Sequence, residues 1–423
     1  MSEPIIFDKF YLGEGKSESD LNGFDKLTNA DIHTTFGKVQ CQLVGSLDNH
    51  TTVDESTVTC EDRSGQVYFF SSESGKIWKR TAGGTFSLVN TNTNGAHQGA
   101  KYFNGNLYYA SQYKLGKFDG STWSDSFATF SNNSLYHPMI EMNLSLFIGD
   151  STYIAAVDSA GTFSANSLDI PTGAAASCFA MAGNDILIGT YTGTTTMRNT
   201  AYLWDTYSSS WTIEDEVYEV GFNCFIQLDN GIAAQCGLAG RIYIWNGSRF
   251  DKWKKIRGVT TGTGYQRSTV FNGKALFVVG DKVYSIHRTE NDLPLAITQE
   301  YTSTTDPTYA LAVSNAQLFM ASTAGVDKIG TDYATATIDT PEVTGNYQNV
   351  IVNYDSLPTG TSIGISTKID GATAWTAQTA ITDTINKRVY FDGGLGDVNF
   401  LQARITLTPS GASTPIITSI IFQ

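Results

Sequence analysis

Residues able to do chemistry are present but scattered. The histidines are His33, His50, His97, His137 and His287, and none stands in an HExxH or other paired spacing, so the pattern a zinc site needs is missing. No Gly-x-Ser-x-Gly elbow exposes a serine nucleophile. Gly13-Glu14-Gly15-Lys16-Ser17 ends like a phosphate loop, but Phe10 occupies the place of the first glycine that wraps the phosphates. Asp150, Asp185 and Asp281 are the carboxylates to weigh for a glycosidase pair, and turn chemistry accounts for each of them more simply. The acidic loop 20–25 does not fill the ligand positions of a calcium loop. The expectation is no catalytic residue, no metal and no cofactor.

Asp119-Gly120-Ser121-Thr122-Trp123 resembles the Asp-box of sialidases, with Asp and Gly adjacent where the box separates them by one residue. Flat aromatic side chains are the other chemistry to consider, because a ring face stacks on a sugar. Trp123, Trp204, Trp211, Trp245 and Trp253 recur in strands, where burial between sheets is the simpler role. Trp375 follows an Asp-Gly turn. Trp375 and Trp123 are the candidate glycan-stacking residues.

The elements that would carry these residues are strands. Gly (40), Tyr (21) and Phe (23) are abundant and charged residues make up 16% of the 423, a composition suited to short strands and tight turns. A unit recurs along the chain, clearest in YFNGNLYYASQYKLGKFDGSTWSD from Tyr102, where Asn104-Gly105 and Asp119-Gly120 predict type I′ hairpins. Related units start near Val58, Met139, Cys178, Cys224, Thr269 and Tyr309. A spacing of roughly 40 residues is the length of a four-stranded propeller blade. The expected fold is therefore all-β: a β-propeller of about seven blades over 51–341, then a C-terminal β-sandwich over 342–423. Residues 1–50 would form an N-terminal arm, whose strand pair over 31–44 joins the propeller.

Net charge is −14, so general binding to nucleic acid through a basic face is not expected, and the basic run Lys252, Lys254, Lys255 and Arg257 is short. Five cysteines without a CxxC spacing argue for buried thiols over a disulfide frame. No signal peptide or membrane-spanning run is visible.

Both ends of the chain resemble the β-propeller structural proteins of tailed bacteriophages. The resemblance lies in Gly23-Phe24, Asn29-Ala30-Asp31-Ile32-His33 and Gly37, in 355–363 (DSLPTGTSI), and in 401–408 (LQARITLT) before Thr414-Pro415. It implies a non-enzymatic virion component made in the host cytoplasm, a nozzle, hub or tip protein of the tail. Its partners would be copies of itself and other virion proteins. A host-surface glycan receptor is the alternative, and a propeller glycosidase the more remote one.

Overall fold

The computed structural model describes residues 4–8, 10, 24–32, 38–49, 53, 56–61, 64–134, 136–171, 173–193, 196–238, 240–256, 267–280, 282–287, 295–302, 308–322, 325–345, 347, 349–378, 380–382, 388–392 and 400–423. His33, His50, Asp281, Arg257, the stretch Gly13–Ser17 and most of the acidic loop lie outside them. Every regular element longer than a turn among the described residues is a strand.

The strands pair as consecutive antiparallel sets of four. Five complete sets occupy 56–91, 97–129, 139–169, 175–217 and 222–255, each in simple up-and-down order. A sixth run of four, over 268–302, opens a larger sheet. The seventh set takes Thr308–Ser314, Gln317–Ser322 and Gly325–Tyr333, and its fourth strand is Leu43–Asn49 from the other end of the chain.

The second strand of each set shows why the sheets must stack. Val67–Ser71 is buried at every position, because alternate side chains enter different cores. Val67 and Phe69 pack with Ala310, Ala312, Phe319 and Ala321 of the seventh sheet. Tyr68 and Phe70 pack with Leu107 and Tyr109 of the second. The same division recurs in the next sheets. Tyr108 and Ala110 meet Leu146 and Ile148, Phe147 meets Ile186 and Ile188, and Leu187 meets Ile232 and Ala234. A strand with two apolar faces cannot be satisfied by one neighbour, at about 1.5–3 kcal/mol per buried side chain, so each sheet requires a partner on both sides. The contact of 67–69 with 310–321 joins the first sheet to the last. Asp48, in the strand from the N-terminal region, secures this closure: its carboxylate accepts from Arg80 Nε at 2.6 Å and pairs with Lys328 Nζ at 2.9 Å. The Arg80 guanidinium also lies 4.6 Å from the Phe319 ring.

The chain divides into two compact units. One comprises 47–282 and 303–328, and the other comprises 1–46, 283–302 and 329–423. The N-terminal 46 residues thus share a unit with 342–423. In that unit Ala30–Asp31 pairs with Val39–Cys41 as the sequence implied, but Val39–Cys41 then pairs with the C-terminal strand Ile416–Phe422. The strand completing a four-stranded set is the next one along, Leu43–Asn49. Two sheets, one built on Ile416–Phe422 and one on Phe400–Thr408, send Val350, Val352, Ile420 and Phe422, and Ile363, Ile365, Leu401 and Ile405, into one apolar core.

Turn chemistry agrees with the sequence reading in part. Asn104-Gly105 has φ of 43° and 82°, as a type I′ turn requires. At Asp119-Gly120 only the glycine has positive φ. The Asp119 side chain instead accepts from the backbone N–H groups of Ser121 and Thr122, both at 2.8 Å. A carboxylate able to bond two residues ahead stabilises an Asx turn, and that competes successfully with the I′ geometry. Asp158, Asp205 and Asn246 do the same between the third and fourth strands of their sheets.

Candidate functional site

Up-and-down order gives each sheet two distinct ends. At the hairpin end lie the turns joining first to second and third to fourth strands. At the crossover end the chain passes from second to third strand and from sheet to sheet. In the unit of 47–282 and 303–328, the buried polar and charged residues lie at the crossover end, with Ser314 the exception among the described residues. The register also slips there by one residue in the first strands, between 56 and 58, 97 and 99, 176 and 178, 222 and 224, and 308 and 310. A bulge re-aims the side chain it displaces. Ser177 and Asn223 are two such residues, buried and bonded to the carbonyls of Phe222 and Gly237.

His97, in the second sheet, and His137, in the passage from the second to the third, stand at this end. Nδ1 of His97 lies 2.8 Å from the Ser71 carbonyl, and its Nε2 lies 3.3 Å from Asn92 Nδ2. Nδ1 of His137 lies 2.7 Å from the Gly149 carbonyl. Burial pulls both imidazoles down to about 4, so they are neutral at pH 7 and brace the backbone. Packing here is close: a Cβ on Gly99 would meet the His137 carbonyl oxygen at 2.0 Å.

Asp150 is fully buried at the same end. Its Oδ2 accepts from the N–H groups of Ser131 and Asn132 at 2.9 and 3.0 Å, while Oδ1 has no hydrogen-bond partner. Burial pushes the carboxyl up to about 6 against those two donors. Asp185, the other described carboxylate considered for a glycosidase pair, lies at the opposite end, at the start of Asp185–Tyr191. Glu219 is buried and accepts from Arg241 Nη1 at 2.6 Å and from the Tyr243 hydroxyl at 3.0 Å. No cluster of three His, Cys, Asp or Glu among the described residues is arranged to hold a metal ion. Cys41, Cys178, Cys224 and Cys236 are buried free thiols, raised in pKa by desolvation and so unreactive.

The two tryptophans singled out for sugar stacking are both engaged. Trp123 stacks on Phe118 with ring centroids 4.1 Å apart, beside Tyr109, against the core between the first and second sheets. Trp375 is half-buried, with Lys368 Nζ 4.6 Å and the Arg404 guanidinium 4.4 Å from its ring centroid. Arg404 is in turn held by Asp339 through two contacts of 2.6 Å. The crossover end and its bulges had no signal in the sequence beyond isolated polar residues at strand ends.

No family model and no curated sequence matches the chain. Solved structures do. A streptogramin B lyase aligns with a TM-score of 0.52 at 12% identity, over 68% of this chain and 97% of the lyase. A catalytically inactive virginiamycin B lyase from Staphylococcus aureus with quinupristin aligns at 0.52 and 13%, over 69% and 97%. A mitotic checkpoint complex chain aligns at 0.50 and 12%, over 68% and 93%. Identity this low carries the architecture and nothing of the activity. The lyases are β-propeller proteins, and the chain has the β-propeller fold.

Proposed function

We propose that this chain is a non-enzymatic structural component of a bacteriophage virion, in the tail, present in several copies. On this reading the seven sets of four strands are the blades of a seven-bladed propeller closed by Leu43–Asn49, and the two sheets around Ile416–Phe422 and Phe400–Thr408 form a β-sandwich. The observation that supports it best is where the segments resembling phage propeller proteins fall. They are far apart in sequence, yet Ala30, Ile32, Leu357, Ile363, Leu401 and Leu407 line one core. Cys41 N donates to Thr414 Oγ1 at 2.9 Å, tying the N-terminal segment to the C-terminal one. Segments that meet in one core support the reading better than isolated strings of turn residues would.

The polar groups of the crossover end favour scaffolding over catalysis, since the histidines, Glu219 and one Asp150 oxygen are spent on holding backbone and neighbours. The receptor alternative is weakened by the engagement of Trp123 and Trp375 in inter-sheet and cation contacts. Mass spectrometry of gradient-purified particles from a phage encoding this chain tests the proposal. The protein should be present at a fixed, multi-copy ratio to the major tail proteins, and its absence from intact particles overturns the reading.

A further inference from the structure

The most exposed large apolar side chains among the described residues are Tyr207, at 81%, and Leu144, at 75%. They are neighbours by construction of the hairpin end. Asn143 Nδ2 donates to Thr206 Oγ1 at 2.9 Å, linking the first hairpin of the third sheet to the third-to-fourth-strand turn of the fourth, and Leu144 and Tyr207 directly follow the two bonded residues.

The backbone that displays them is unfavourable. Leu144 sits at the second position of a type I′ turn with φ of 61°, where equivalent turns carry the smaller Gly105, Gly273 and Ala316. Thr206, β-branched, has φ of 70°. Left-handed backbone at a bulky or branched residue costs about 1–3 kcal/mol and persists where something else is gained. Thr206 is half-buried and accepts the Asn143 bond, but Leu144 recovers nothing by packing, because its side chain is in solvent. A local rule broken without a folding gain marks a functional position.

The surroundings define the partner. Residues 118–197 contain no Lys or Arg, and three of their seven carboxylates, Glu141, Asp158 and Asp185, lie with Asp205 at the same hairpin end of the third and fourth sheets as Leu144 and Tyr207. Backbone N–H donors in the Asx turns hold Asp158 and Asp205 below the usual carboxylate range, so both are ionised at neutral pH. An end that carries an apolar pair and four carboxylates repels anionic lipid, nucleic acid and acidic polysaccharide and attracts a basic surface.

We propose that Leu144 and Tyr207 are the apolar anchors of a docking site for a basic protein segment carrying an aliphatic side chain. The site needs no assumption about the virion, so it can fail while the structural reading stands, and the reverse.

The full-length chain should be titrated by calorimetry with a synthetic peptide alternating lysine and leucine, and with its glutamate-for-lysine counterpart. The lysine peptide should bind, and the glutamate peptide should not. The Leu144→Gly/Tyr207→Ser variant, which keeps every carboxylate, should bind the lysine peptide about tenfold or more weakly, as loss of central anchors does. The single Leu144→Gly variant should melt above the wild type, since glycine relieves the left-handed turn. Equal affinity of the double variant and wild type would reduce the effect to bulk charge and overturn the proposal. So would absence of lysine-peptide binding, equal binding of the glutamate peptide, or self-association of the chain through this face seen by sedimentation.

Discussion

The crossover and hairpin ends of the propeller sheets are built on opposite principles. At the crossover end polar side chains are buried and bonded: His97, His137, Ser177 and Asn223 meet backbone carbonyls, and Glu219 accepts from Arg241 of the next sheet. At the hairpin end the polar side chains are exposed and many act locally, as in the Asx turns of Asp119, Asp158, Asp205 and Asn246, beside inter-sheet bonds from Asn104 and Asn143. Sequence separation explains the difference. A hairpin turn can be satisfied by its own residues, whereas a passage between sheets leaves backbone groups whose partners must come from a neighbouring sheet. One end is therefore held mainly by bonds between distant residues, and the other mainly by bonds within its own turns.

Substitutions can break this contrast. The largest effects should come from Gly99→Ala at the crossover end, where the new methyl would overlap the His137 carbonyl at 2.0 Å, and from Trp204→Ala near the hairpin end. Trp204 is buried and donates from Nε1 to the Ser208 carbonyl at 2.8 Å. Each should cost about 3–5 kcal/mol in chemical denaturation. Equal losses would show that both ends depend on the core between them, and a mild Gly99→Ala would mean that the crossover end yields more than its bonding suggests.

Asp150 sharpens the contrast through pH. Its folded pKa, at about 6, is above the ordinary carboxylate value of 3.8. The folded state therefore holds the proton more tightly than the unfolded chain, and ionisation of the buried group opposes folding. Stability from this residue is greatest below about pH 4 and declines as pH rises through about 6. Asp150→Asn should flatten that slope between pH 4 and 7 and gain about 1–3 kcal/mol at pH 7, read from unfolding midpoints across the range. An unchanged slope would place the pH dependence elsewhere. At the hairpin end, Asp205→Ala should alter the midpoint least of all. Its effect should appear as faster hydrogen exchange at the Tyr207 and Ser208 amides, which the Asp205 carboxylate now accepts from at 2.9 and 2.8 Å.

The legible parts of the fold were those coded within a few residues. Asn104-Gly105, the alternating strand after it and the recurrence of that pattern through Met139, Cys178 and Cys224 identify the four-stranded sets, because hairpin geometry depends on adjacent residues. Asp119-Gly120 misled at finer grain, since one dipeptide serves two turn types and only the direction of the side chain separates them. What could not be read depends on partners far along the chain. Nothing local to Leu43–Asn49 says that it completes a sheet whose other strands begin at Thr308, and nothing local to Asp48 names Arg80 and Lys328 as its partners. Trp375 was visible as a residue but not as an environment, since Arg404 over its ring arrives from a strand about thirty residues further on.

Having an early-made strand finish the seventh four-stranded set imposes an order of events during synthesis. Leu43–Asn49 leaves the ribosome early and has no place to pair until Gly325–Tyr333 follows it. At about 5–20 residues per second, that gap of nearly three hundred residues lasts roughly 15–60 s. Through that interval the earlier sheets stand with an uncovered side, and the growing chain carries a strand seeking an edge. A messenger cut short anywhere before the seventh sheet would yield a product held in that condition permanently, prone to borrow the missing edge from another copy.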